Sequence, residues 1–519
     1  MFPPRRTVIS KCTEAQQVNN RTYTESRRTY RGGLLSALVF ALAALINSQG
    51  ALGGSPAVND YRKELDRILT GHRDPKAKLG ARVVNLSTGQ VLYEHDAEQP
   101  LIPASNMKLV VIAAALDRFG KDYQYKTMLA IRERDLVVVG CGDPTFGDEK
   151  LFQARGDSIT AVFHIWAEKL AAAGVRQVSG NIVIDDSIFD DRFVHPNWPA
   201  DQFQAWYEAP IGGLNFNANC VSVQVKPGKS GAAAIATLMP GTSLLKLENR
   251  LKSGRKHAPG LTRRRDSDTL VVAGSITRAD TLGPVTIRDP GMYFGYVFKT
   301  VLAAKGIRVQ GKVVREKLAL GPDRVPAGGH GVAFHQAPLY DAARRAGQDS
   351  LGMMAEGLIK LLGSQESGVG SWETGRAALK RFLLEAGVPE GQFVIDDGSG
   401  LSRKNRLSAR AATQVLAYMY KAPGGRFDQL RSSLARPGRD GTLRKRLRGP
   451  ETRDRVFAKT GYINGVRTLA GYVQTKSGQW LAFAFFYNGT GKTRPLAQIQ
   501  DQACELLVNW PIESTAQTR

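Results

Sequence analysis

A change of periodicity part-way along the chain constrains its fold more than any other feature. From residue 125 to about 330, short alternating apolar segments (LVVVG, NIVID, VSVQVKP, TLVVAGSI, GPVTIR, IRVQGKVV) recur between Gly, Pro and Asp turns. Period-two alternation marks half-buried strands. One helical pattern, residues 159–173, interrupts this block, and the basic stretch 252–265 reads as an exposed hairpin or loop. Before it come a helical pattern at 61–69, a strand hairpin at 80–93 turning on Ser-Thr-Gly, and an apolar helix stopped by Gly120. After it, helical periodicity returns in SLGMMAEGLIKLLG, WETGRAALKRFLLEAG and SARAATQVLAYMY. Strand-like VRTLAGYVQT and WLAFAFFYNG follow, with a last helix at 494–508. The expectation is a mixed α/β domain in two halves, 51–124 and 328–519, split by a β-rich insertion at 125–327 with an inner subdomain at about 150–230. A length of 519 residues exceeds one ordinary domain and accommodates this plan.

The first 32 residues carry seven basic and two acidic side chains, and an uncharged apolar run of thirteen residues, Leu34 to Ile46, follows. Thirteen is short of the roughly 20 needed to span a bilayer but suits the core of a secretory signal. Ser48 and Gly50 offer a cleavage site. A signal peptide at 1–50 is therefore expected, with Arg27-Arg28 loosely resembling a twin-arginine export signal. The mature chain is expected to be exported, periplasmic or otherwise extracytoplasmic, with at most peripheral membrane or cell-wall association.

Of the net charge of +24, +19 belongs to residues after this leader. A basic excess this large calls for a polyanionic partner: nucleic acid, an anionic membrane face, or an acidic envelope polymer. Four cysteines in such a chain exclude a disulfide framework. Past the leader, Cys141, Cys220 and Cys504 allow one bridge and an odd thiol. No CxxC or HExxH spacing occurs, so no metal and no organic cofactor is expected.

A serine three residues before a lysine, at the start of an apolar helix, sets the two side chains one turn apart on one face. A neutral lysine there takes the serine proton and makes the nucleophile that acyl transfer needs. Three Ser-x-x-Lys matches occur, at Ser105–Lys108, Ser243–Lys246 and Ser253–Lys256. Only Ser105 combines a Pro-Ala turn with a long apolar helix, and Ser253 reads as part of a solvated loop. Of the Lys-Ser/Thr-Gly triplets at Lys229, Lys252, Lys459 and Lys476, only Lys459-Thr460-Gly461 sits in a strand context.

These residues resemble the serine D-alanyl-D-alanine carboxypeptidases and endopeptidases of the class C low-molecular-mass penicillin-binding proteins. PASNMKLVVIAAALDRFG is similar to their nucleophile helix, and AKTGYINGVRTLAGYV to their third motif. Asp397-Gly398-Ser399-Gly400-Leu401-Ser402-Arg403 is similar to a stretch specific to them, and Gly142-Asp143-Pro144-Thr145 and APIGGLNFNANCVSVQVKPG to parts of their insertion. The resemblance implies a β-lactamase/transpeptidase-like α/β fold: an antiparallel sheet with helices on both sides plus a helical lobe. It also implies the roles. Ser105 attacks a D-Ala carbonyl of a peptidoglycan stem peptide, Lys108 is general base, Ser350 relays a proton, and Lys459 supplies positive potential. Thr460, Gly461 and Tyr462 bind substrate, with the N–H groups of Ser105 and Tyr462 as oxyanion hole. β-Lactams should acylate Ser105.

The family's Ser-x-Asn motif falls on Ser350-Leu351-Gly352, so a glycine stands where the asparagine is expected. The literal Ser179-Gly180-Asn181 lies in the β-rich block and reads as a turn. Losing the amide costs roughly 1–3 kcal/mol, unless another side chain such as Asn405 substitutes. An acidic residue of the insertion is expected to meet a diaminopimelate amine, and Asp201 stands in the matching stretch. The alternatives are a catalytically weakened peptidoglycan-binding protein and, less favoured, a β-lactamase. Nucleic acid drops out as a partner.

Overall fold

The computed structural model of the protein describes residues 56–71, 74, 76–489, 491 and 493–511. The expected signal peptide lies outside the described residues, and no described helix is long and apolar enough to cross a membrane.

One five-stranded antiparallel sheet joins the two ends of the chain. Strands β1 (Lys78–Asn85) and β2 (Val91–His95) pair with β3 (Val456–Ile463), β4 (Val466–Gln474) and β5 (Trp480–Asn488) in the order β3-β4-β5-β1-β2. Seven helices matter here: α1 (Pro56–Gly71), α2 (Met107–Phe119), α3 (Leu339–Gln348), α4 (Gly352–Ser367), α5 (Trp372–Glu385), α6 (Ala409–Lys421) and α7 (Arg494–Val508). Strand β5 reads WLAFAFFYN because it is buried on both faces. Leu481, Phe483, Phe485 and Tyr487 meet Leu65 and Leu69 of α1 and Leu496, Ile499 and Leu507 of α7. Ala482, Ala484 and Phe486 face the core shared by α2, α4 and α6. Helix α2 is buried almost throughout, from Met107 to Leu116, and ends on Gly120, whose φ of 74° is costless for glycine.

Between the halves, a second five-stranded sheet runs Val313–Arg315, Ile182–Asp185, Asp135–Val139, Gln124–Arg132 and Gly329–Pro338. Helices Ala161–Ala172 and Pro290–Ala304 pack in the same core around Phe146, Phe163, Trp166 and Phe294. The sequence places an inner subdomain at about 150–230. Of the insertion's remaining strands, those from Cys220 to Thr286 form two three-stranded sheets, and Gln177–Val178 pairs with Arg308–Val309.

The stretch 252–265 is largely exposed, and within it Ala258–Arg263 forms the first arm of an antiparallel hairpin with Thr269–Ile276. Lys246–Ser253 and Ala258–Arg263 flank Thr269–Ile276, the first parallel to it and the second antiparallel. Ser253 is not solvated: it is buried, and its hydroxyl accepts from the Gly228 N–H at 2.8 Å. The cysteine bridge is absent as well, with Cys141, Cys220 and Cys504 each free and buried.

Candidate active site

The site forms where α2, the α3–α4 junction, β3 and the loop 396–402 converge. Ser105 sits on a single helical turn, Ala104–Asn106, immediately before α2. Ala104 has φ 45° and Ser350, in the α3–α4 junction, has φ 61°. Left-handed backbone at non-glycine residues is strained, and it persists where surrounding contacts hold it. Gly400 supplies one such contact: a Cβ there would lie 1.8 Å from the Ala104 carbonyl.

All four expected catalytic side chains come together in two hydrogen-bonded pairs. Lys108 Nζ donates to Ser105 Oγ at 3.1 Å and to the Ser399 carbonyl at 2.5 Å. Lys459 Nζ donates to Ser350 Oγ at 2.8 Å and to the Thr460 carbonyl at 2.8 Å. Both lysines are buried, so desolvation disfavours their charged forms. Lys108 is pulled down to about 8 against the upward influence of Asp397 and Glu356. Lys459 lies well below the usual lysine range, from burial first and the Lys108 charge second. Burial disfavours two adjacent ammonium groups. The expected standing positive charge on Lys459 therefore needs an anion to sustain it.

Strand β3 is the sheet edge that faces the nucleophile. Thr460 Oγ1 donates to Thr442 Oγ1 at 2.9 Å, and Tyr462 is 59% exposed. Gly461 is required by proximity: a Cβ there would stand 2.0 Å from Thr468 Oγ1 and 2.8 Å from the Pro103 carbonyl. Asn106 Nδ2 donates to Thr468 Oγ1 at 2.7 Å, and Thr468 donates to the Pro103 carbonyl at 2.8 Å, stitching the nucleophile turn to β4. Asn106 and Thr468 carry no motif of their own and were not legible in the sequence.

Gly352 is the first residue of α4, and a Cβ there would lie 3.2 Å from the Tyr207 carbonyl and 3.4 Å from Ser399 Cβ. A strap of the insertion thus occupies the space beside the position where the family's asparagine is expected. Asn405 does not substitute for that amide. Its Oδ1 accepts from the Asp396 N–H at 2.7 Å, and its Nδ2 donates to Asp397 Oδ1 at 2.6 Å. Ser179-Gly180-Asn181 lies in the insertion, where the Asn181 N–H donates to Asp135 Oδ1 at 2.6 Å.

The insertion also grips the loop 396–402. Trp198 Nε1 donates to Asp397 Oδ2 at 2.8 Å, and Asn197 Nδ2 bonds the Asp396 carboxylate. Lys360 of α4 reaches Asp190 at 2.6 Å. On the strap, Asp201 is exposed, whereas Glu208 is buried with Oε1 unpartnered and is pushed up to about 7 by burial and Asp201. Among the described residues no three His, Cys, Asp or Glu side chains group as a metal-binding set.

The family model for the D-Ala-D-Ala carboxypeptidase 3 (S13) family matches residues 61–509. The chain belongs to that family. A D-alanyl-D-alanine carboxypeptidase of an Actinomadura species is 33% identical over 508 residues, 91% of this chain and 90% of that one. The D-alanyl-D-alanine carboxypeptidase DacB of Haemophilus influenzae is 25% identical over 460 residues, 83% of this chain and 91% of its own length. The crystal structure of penicillin binding protein 4 (dacB) from Haemophilus influenzae superposes with a TM-score of 0.69 at 22% identity, covering 86% of this chain and 99% of that one. That likeness establishes the fold, a β-lactamase/transpeptidase-like α/β arrangement, as the resemblance implied.

Proposed function

We infer that the chain is a serine D-alanyl-D-alanine carboxypeptidase/DD-endopeptidase acting on peptidoglycan stem peptides through an acyl-enzyme on Ser105. The observation that carries this reading is the bond from Lys108 Nζ to Ser105 Oγ, with burial pulling the lysine down to about 8. Ser105 Oγ adds to the penultimate D-Ala carbonyl while its proton passes to Lys108. The backbone N–H groups of Ser105 and Tyr462 receive the developing oxyanion. As the C–N bond breaks, the leaving amine takes a proton through Ser350, which Lys459 supplies at 2.8 Å. Thr460 holds the terminal carboxylate, and that anion restores the charged form of Lys459. Water then releases the acyl group, and a β-lactam follows the same first step.

The charge of +19 beyond the leader suits work outside the cytoplasm against a carboxylate-rich wall, with export through the N-terminal signal and no nucleic-acid partner. Gly352 is the one observation favouring the second reading, a catalytically weakened binding protein. D-alanine release from a stem pentapeptide separates the two. Catalytic turnover abolished by Ser105→Ala supports the peptidase, and stoichiometric binding without release supports the binding protein.

A further inference from the structure

Gly352 and Glu356 stand at positions i and i+4 of α4, one turn apart on the same face. The first brings no side chain to the lysine. The second is a carboxylate with no exposure, and every polar contact it makes runs toward the site or its walls. Glu356 Oε1 accepts from the Ser399 N–H at 2.6 Å. Its Oε2 accepts from the Gly398 N–H at 3.1 Å and from Trp372 Nε1 at 2.7 Å. The next peptide unit is the one that meets the base: its carbonyl, Ser399 O, accepts from Lys108 Nζ at 2.5 Å, and its N–H, on Gly400, donates to Asp397 Oδ1 at 2.7 Å. Three consecutive peptide planes are therefore clamped, the first two by Glu356 and the third by Asp397.

We propose that Glu356 is a positioning residue for the general base, fixing through two backbone N–H groups the Ser399 carbonyl that orients Lys108 where Gly352 offers no amide. The proposal rests on the reading of Ser105 as nucleophile and Lys108 as base. Two physical consequences follow from the geometry. A carbonyl accepting from Nζ at 2.5 Å fixes the amine so that, once it is deprotonated, its lone pair faces Ser105, and loosening the 398–400 loop spreads the lysine over non-productive positions. A buried negative charge near Lys108 also raises its proton affinity: Asp397 does so first and Glu356 second, and Glu356, itself pushed up to about 7 by burial, is ionised where Lys108 titrates.

The two consequences give a test that a purely structural role would fail. The rate of acylation by a fluorescent penicillin is measured on the full chain across pH, for wild type, Glu356→Gln and Glu356→Asp. Wild type should show a rate rising with pH as Lys108 loses its proton. In Glu356→Gln the plateau should fall ten-fold or more, because an amide presents only one acceptor to two N–H groups. Its midpoint should move to lower pH, since a neighbouring negative charge has gone. In Glu356→Asp the midpoint should stay with wild type while the plateau falls, because the charge is kept and the reach is shortened. A folded Glu356→Gln whose midpoint does not move overturns the proposal, whatever its plateau. An unchanged plateau in Glu356→Asp also overturns it, and this variant decides the matter if the glutamine chain does not fold. A wild type without any rising limb overturns the base assignment, and this inference falls with it.

Discussion

Lys459 Nζ lies 2.8 Å from Ser350 Oγ, joining the edge strand of the sheet to the strained junction of the helical lobe. A proton path needs that contact, and folding does not. Ser350 is only partly buried, so removing its hydroxyl leaves little unsatisfied apart from Lys459, which keeps the Thr460 carbonyl. Ser350→Ala should therefore slow acylation by about 10²–10⁴-fold while its thermal midpoint stays close to that of wild type. Stopped-flow labelling beside a melting curve checks both halves.

Acylation should follow the deprotonation of Lys108. Its folded value of about 8 means the base is mostly protonated at neutral pH and mostly free a unit or two above. The acylation rate should rise through about pH 8 and flatten beyond it. A rate that falls across that window would show that the charged lysine is the active form.

Gly461 is placed for room rather than for flexibility. A methyl group there would press on Thr468 Oγ1 at 2.0 Å and on the Pro103 carbonyl, and so lever β3 away from the nucleophile turn. Gly461→Ala should cost about 1–3 kcal/mol of stability, as overpacking does, and lose most of its acylation rate. Denaturant melts paired with penicillin labelling measure the two effects.

Restoring the missing motif side chain should not restore speed. In Gly352→Asn the new Cβ would sit 3.2 Å from the Tyr207 carbonyl and against Ser399, so the strap or the loop must yield by a few tenths of an ångström. Since Ser399 already orients Lys108, the expected result is equal or slower acylation with a slightly lower melting point. A gain of about ten-fold, within the 1–3 kcal/mol that a buried amide is worth, would show that the amide is simply lacking.

The helices and the central sheet were legible because their cores impose a period. The Ser105–Lys108 spacing follows from one helical turn, and WLAFAFFYN from burial on both faces. The residues that hold the site in place were not legible. Glu356 meets Gly398 across more than forty residues, and Asn106 meets Thr468 across more than three hundred. No local pattern encodes such a closure. Strand Lys246–Ser253 was hidden for a related reason: its exposure pattern is mostly polar, and its pairing is parallel, with a partner beyond the next strand. Ser253 looked solvated because its burial depends on Gly228, which only the folded sheet brings near.

The central claim, a covalent acyl-enzyme on Ser105, is tested most directly by peptide mass spectrometry of the protein after reaction with penicillin. Wild type should carry one penicilloyl group, on the peptide containing Ser105, and Ser105→Ala should carry none. No adduct on wild type, or equal adducts on both, would contradict the account.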